Sequence, residues 1–285
     1  MCGRYAASAD PDELIEIFEV DHDGTDEPTR SLLKAPQQPP PGRPDYNVAP
    51  SKAALAVVQR PGRDDRDDSR QLRLLSWGLV PSWSADTGGS VRMINARAET
   101  LLSTRAYARA ARSRRCLVPA TGWYEWQASP VATTNKGKPR KQPFFIRRDD
   151  DTPVAMAGVY EFWKAPEGPT SGSDHEGATS DEPAWLVTFA IVTTVAEPGL
   201  DRIHTRQPVV LDPDRWAQWL DPDLQDPARV ESLLVSPGAG RFTAWPVSTA
   251  VNAVANNDPA LLHPLPPEDL VGVVDPRTGE ILGQP

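Results

Sequence analysis

The sequence predicts one α+β domain built around curved, mostly antiparallel β-sheet. Three observations carry this expectation. Strand-like runs outnumber helical ones and do not alternate with them regularly, which argues against repeated parallel βαβ units. The 285 residues are 39% hydrophobic, enough for one sizeable core, and neither an internal repeat nor a clear break divides residues 1–285. The 31 prolines favour short elements joined by rigid loops, because proline continues neither a helix nor a central strand.

Along the chain, Asp10 can cap a first helix, Pro11 suits its first position and Glu13 follows three residues after the cap; Leu14, Ile15 and Phe18 then form an apolar stripe. Residues 20–44 turn acidic and then proline-rich (PQQPPPGRP), and read as a loop insertion. Strand-like runs follow at 54–59 (ALAVVQ), 71–77 (QLRLLSW), 116–120 (CLVPA), 122–126 (GWYEW) and 143–147 (PFFIR). More occur at 153–160 (PVAMAGVY), 185–193 (WLVTFAIVT) and 208–211 (PVVL), and a helix at about 104–114 interrupts the series. Residues 164–183 are a polar Gly/Ser/Glu-rich insertion, two helices start at Asp212-Pro213 and Asp226-Pro227, and 264–285 is expected to be an irregular tail.

A net charge of −9 argues against binding a polyanion through bulk electrostatics but leaves room for a local basic groove. The acidity gathers in DHDGTDE (21–27), DDRDD (64–68) and SDHEGATSDE (173–182). Basic residues gather in RAYARAARSRR (105–115) and KGKPRK (136–141), which read equally as a solvated helix face and a charged hairpin tip or as parts of such a groove. No apolar run is long enough to span a membrane, and MCGRYAASADPDELIEIF lacks the layout of a secretory signal. The two cysteines, Cys2 and Cys116, give neither a disulfide framework nor a CxxC metal pattern; Cys116, in RCLVPA, reads as a buried strand residue. We expect no metal or cofactor, and a monomer in a reducing cytoplasm.

Four positions can carry chemistry. If Met1 is removed, Cys2 presents an α-amine and a thiol on adjacent carbons, with ordinary pKa values of about 7.7–8.0 and 8.5. A neutral amine condenses with an aldehyde to an imine, and the thiol can then close a thiazolidine ring. Position alone is weak evidence, since Cys2 also reads as an ordinary residue at a frayed end. Glu125, among Trp123, Tyr124 and Trp126, would have a raised pKa if buried; the alternation of GWYEW also allows it to face solvent. His204, just before an apolar run, is a natural acid/base or a structural loop residue. Asn95 and Arg97 share a face if INARAET is extended, and can position a phosphate or sugar oxygen or form a polar strand edge.

With these segments assembled, the sequence resembles the SRAP family (SOS response-associated peptidase, also called abasic site processing protein). The matching pieces are MCGRY (1–5), YNVAPS (46–51), WGLVPSW (77–83), INARAET (94–100), CLVPATGWYEW (116–126), PFFI (143–146), IHTRQPVVL (203–211) and WPVSTAVNAV (245–254), in the family's order. The resemblance implies a barrel-like core with peripheral helices, and a partner that is single-stranded DNA containing abasic sites. It implies that Cys2 crosslinks to the ring-opened deoxyribose, that Asn95, Glu125 and His204 complete the active site, and that Arg4 and Arg97 contact phosphates. Self-removal of Met1 accounts for the peptidase label, lyase activity is a possible side path, and damaged DNA would draw the protein to the nucleoid. Asn47, Pro50, Trp77 and Trp83 would lie on the DNA-facing surface, although core packing suits Trp83 better and Trp77 equally well. One departure is HTRQP, where the family often has an acidic residue after the histidine. The rival readings are an N-terminal-nucleophile amidohydrolase, which usually continues with isoleucine where Arg4 stands here, a cysteine peptidase acting on other proteins, and a non-catalytic single-strand DNA-binding module.

Overall fold

The computed structural model describes residues 2–27, 29–62, 68–164, 185–236 and 238–283. Its strands are β1 (Arg4–Ala7), β2 (His22–Asp23), β3 (Asp45–Val48), β4 (Ala53–Arg60), β5 (Ser69–Trp77), β6 (Asn95–Arg97), β7 (Arg115–Ala120), β8 (Gly122–Thr133), β9 (Pro139–Arg148), β10 (Val154–Trp163), β11 (Leu186–Val195), β12 (Arg206–Pro208), β13 (Phe242–Pro246), β14 (Val273–Val274) and β15 (Ile281–Leu282). The helices are α1 (Pro11–Ile17), α2 (Ala108–Ser113), α3 (Pro213–Leu220) and α4 (Pro227–Leu233).

Two sheets face each other. One runs β13-β9-β8-β1-β3; the other runs β12-β11-β10-β7-β4-β5-β2. In the larger sheet β5 returns to pair with β11 in parallel, which closes β11, β10, β7, β4 and β5 into a ring. The barrel-like expectation therefore holds, and most pairings are antiparallel; β2–β5, β6–β11 and β5–β11 are the parallel ones.

Both faces of the ring are covered, so its strands are apolar throughout rather than alternating. Leu55, Val57, Leu117, Ala157 and Val192 face Leu14, Phe18, Ala110, Trp219 and Val230 of the helical layer. Their neighbours Ala56, Val118, Met156, Phe189 and Ile191 face Tyr5, Trp123, Phe144 and Ile146 of the smaller sheet. The outer face of the smaller sheet is closed by the segment carrying Trp245, Val247, Val251 and Leu261.

Local signals account for most boundaries. Asp10 accepts from the Asp12 amide at 3.0 Å with Pro11 next, as a helix start requires. Helices begin at Pro213 and Pro227 as expected, but only Asp226 caps its helix; Asp212 instead pairs with Arg148 (2.7 Å) and Arg241 (3.2 Å). The helix expected over 104–114 is confined to α2, and turns precede it. The 20–44 insertion contributes β2 to the edge of β5. The 136–141 run contributes the end of the turn between β8 and β9 and the first residues of β9. The insertion at 164–183, its acidic run, and DDRDD up to residue 67 fall outside the described residues apart from Lys164. The tail departs from expectation: 273–282 fold back as the β14–β15 hairpin and dock on β8. Among the described residues no helix is long and apolar enough to cross a membrane.

Candidate active site

The site is built where β1 enters the space between the sheets. β1 lies antiparallel to β8, with Arg4 opposite Tyr124 and Tyr5 opposite Trp123. Alternation along β8 sends Tyr124 and Trp126 to the outer face and Trp123, Glu125 and Gln127 inward. Glu125 is thus buried, 2% exposed, which decides between its two sequence readings. Burial raises its carboxyl to about 7, against the opposing pull of the positively charged amino terminus.

Cys2 is fully buried beside it. Burial and then the negative charge of Glu125 push its thiol well above the ordinary value, so it is protonated near neutrality. Asn95 reaches the same point from the other sheet. Its Nδ2 donates to the Cys2 carbonyl at 2.7 Å, while its Oδ1 is buried without a hydrogen-bond donor. β6 is held by its parallel pairing with β11, where Asn95 lies opposite Ile191, and by Tyr107, whose hydroxyl donates to the Asn95 carbonyl at 3.1 Å.

His204 follows the tight turn Leu200–Arg202, whose Leu200 carbonyl accepts its amide at 3.0 Å. The Arg206 amide donates to His204 Nδ1 at 3.1 Å. Partial burial, then the positive charge of the amino terminus, lower its pKa.

Cys2, Glu125 and Asn95 therefore come together between the sheets, with His204 at the end of the neighbouring turn, whereas the proposed DNA-facing set divides. Arg97 is exposed on β6, and Pro50 is half-exposed. Arg4 donates from Nη1 to Asn47 Oδ1 and to the Val251 carbonyl, both at 2.7 Å, with its guanidinium 6.0 Å from the Trp126 ring. Asn47 is not surface at all. It is buried on β3, and its Nδ2 lies 3.0–3.2 Å from the carbonyls of Val251, Ala253 and Asn256, an anchor for that loop.

Trp77 is likewise core: fully buried, packed between Tyr5 (5.1 Å) and Phe189 (6.3 Å), with Nε1 donating to the Ile94 carbonyl. Trp83, for which core packing was the better expectation, is 56% exposed with the Arg105 guanidinium 4.4 Å from its ring. Between them Gly78 takes φ +129 and donates to Phe189 O, and the turn from Pro81 to Ser84 swings Trp83 outward. Sequence reasoning missed the buried Asp45–Lys52 pair (2.6 Å), which braces the β3 turn, and Gln127. The available signal for Gln127 was its spacing, two residues from Glu125 on the same strand face.

The fold thus brings a buried thiol, a buried carboxyl of raised pKa and an amide together between two sheets. The model of the SOS response associated peptidase (SRAP) family matches residues 1–254, and the chain belongs to this family. It is 34% identical to abasic site processing protein YoqW of Bacillus subtilis over 92% of this chain and 99% of that one. It is 31% identical to abasic site processing protein YedK of Escherichia coli over 93% and 100%. Among solved structures, a protein from Bacteroides thetaiotaomicron superposes with a TM-score of 0.65 at 21% identity, covering 93% of this chain and all of that one, a likeness of fold.

Proposed function

We propose that this chain processes abasic sites in single-stranded DNA by a covalent crosslink through Cys2, after Met1 has been removed by the chain itself or by an aminopeptidase. The observation that carries the reading is the enclosure of Cys2 with Glu125 and Asn95, with a carboxyl near 7 beside the thiol. The names of the relatives, which are abasic site processing proteins, support the substrate.

Hydrolysis of the Met1–Cys2 bond turns the Cys2 nitrogen into an α-amine. Asn95 and His204 hold the deoxyribose, and His204 protonates its ring oxygen, which favours the open aldehyde. The amine adds to the aldehyde carbon, and Glu125 transfers protons as water leaves and an imine forms. The thiol then adds across the C=N bond, its proton going to the nitrogen, and a thiazolidine results. If ring closure lags, the imine opens a lyase path by β-elimination. A thiol this deeply buried is shielded from other electrophiles, and the proton relay is close at hand.

Intact-mass measurement before and after incubation with an oligonucleotide carrying an abasic site tests this. The expected result is loss of Met1, then an adduct equal to protein plus oligonucleotide minus water, absent in Cys2→Ala. An adduct of normal yield in Cys2→Ala would overturn the reading.

A further inference from the structure

The family match ends at residue 254, yet the chain beyond it docks on the strand that carries Glu125 and on the turn before His204. In the β14–β15 hairpin, Val273 is buried in the core between the sheets, and Leu270 and Leu282 pack against the same core. Hydrogen bonds fix the hairpin on two sides. On β8, Gln127 Nε2 donates to Val274 O (2.9 Å), Gln127 Oε1 accepts the Val274 amide (2.8 Å), and the Ser129 hydroxyl donates to Gly272 O (2.6 Å). On the turn before His204, Arg202 Nη1 donates to Pro276 O (2.7 Å) and Arg277 O (3.3 Å).

A further bond joins the two sides: Gln127 Nε2 also donates to Arg202 O at 3.1 Å. Gln127 is 2% exposed, and its amide is matched by two acceptors and one donor. It stands two residues beyond Glu125 on the same inward face, and Arg202 ends the turn that presents His204. Two elements far apart in sequence, one bearing the carboxyl and the other the imidazole, therefore meet on a third. Simple packing needs only the apolar contacts of Val273, Leu270 and Leu282. An orientation requires directional bonds to both carriers, and these are present.

We infer that the β14–β15 hairpin is a brace that fixes His204 relative to Glu125, with Gln127 and Arg202 as positioning residues. This rests on the crosslinking reading above. The test follows adduct formation on an abasic single-stranded oligonucleotide in single turnover, over a range of DNA concentrations, with full-length wild type, Gln127→Leu, Arg202→Ala and Arg202→Lys. The limiting rate should fall roughly tenfold in Gln127→Leu and Arg202→Ala, because small misplacements of reacting groups are costly. The half-saturating DNA concentration should stay within about twofold, since ground-state binding is not lost. Arg202→Lys, which keeps a donor for Pro276, should recover most of the rate. Arg202 is exposed, so its variants report on the brace even where Gln127→Leu lowers stability. The His204 imidazole NMR signal of the free protein, assigned by its loss in His204→Ala, should shift in the same two variants. Wild-type limiting rates in Arg202→Ala would overturn the brace. If the wild type forms no adduct, the crosslinking reading fails by itself, and the imidazole signal still decides the brace: an unmoved signal in Gln127→Leu and Arg202→Ala refutes it.

Discussion

Trp77 and Trp83 stand at the two ends of WGLVPSW, and the fold sends them to opposite environments. Trp77 is sealed between the sheets, while Trp83 lies open under Arg105. The same division separates the interior of the site from its rim. Inside, Cys2 and Glu125 are shut away from water, and burial has moved the thiol and carboxyl far from their ordinary values. At the rim, Arg97, Arg105 and Trp83 are exposed. Under the proposed function, the difference separates chemistry from strand binding. The interior tunes protons by desolvation, and the rim offers charge and a ring face at little stability cost. Substitutions should therefore act on rate inside and on affinity outside.

The largest expected effect is inside. Glu125→Gln keeps the shape but cannot take a proton, so adduct formation should slow by about 100-fold or more. With the carboxyl at about 7, the wild-type rate should rise between pH 6 and pH 8 as the carboxylate appears, and the variant should lose that limb. The sign for stability is opposite. A raised carboxyl pKa means that folding favours the protonated form, so this stabilisation is full below the unfolded value of about 4.3 and is lost as pH rises through about 7. Denaturant unfolding should thus find Glu125→Gln gaining on wild type from pH 6 to pH 8. A pH-independent rate in the wild type would remove Glu125 from the proton relay.

Asn47 tests the boundary between the regions, since it is buried but holds Arg4 at the rim. Asn47→Ala leaves the carbonyls of Val251, Ala253 and Asn256 without its amide and removes one of the two acceptors of Arg4. A loss of about 2–3 kcal/mol in urea unfolding is expected, as for stranded buried polar groups. An unchanged midpoint would mean that the 251–256 loop does not depend on Asn47.

The sequence brought Cys2, Glu125, His204 and Asn95 forward because they stand in the ordered motifs that resemble the family. The face of Glu125 was not legible. GWYEW is apolar on both sides because one face meets the ring and the other meets the 245–262 segment, a contact no local period can announce. Trp77 stayed undecided and Trp83 was misjudged for a related reason: Gly78 and the Pro81 turn break any strand period between them. The runs of apolar strands announced curved, mostly antiparallel sheet and the family resemblance a barrel-like core, but the closure by β5 on β11 is a long-range parallel pairing that no local run shows. The hairpin in the tail was hidden because its strands are two residues long, too short to show alternation.

The smallest effect is expected at the rim, and it is the sharpest test of the division. Trp83 makes its ring contact with Arg105 on an exposed surface, so Trp83→Ala should leave the unfolding midpoint nearly unchanged. A base stacked on an aromatic ring is worth about 1–3 kcal/mol, and Arg105, left in place, retains part of the attraction. Binding of an undamaged single-stranded oligonucleotide, followed by fluorescence anisotropy, should therefore weaken roughly fivefold to tenfold, the equivalent of about 1 kcal/mol. The limiting rate of adduct formation at saturating DNA should remain that of the wild type. Trp77→Ala should do the reverse, destabilising the fold by about 3–5 kcal/mol through the cavity it leaves. If Trp83→Ala instead lowered the limiting rate and left binding intact, Trp83 would belong with the interior chemistry, and the separation of rate from affinity would not hold.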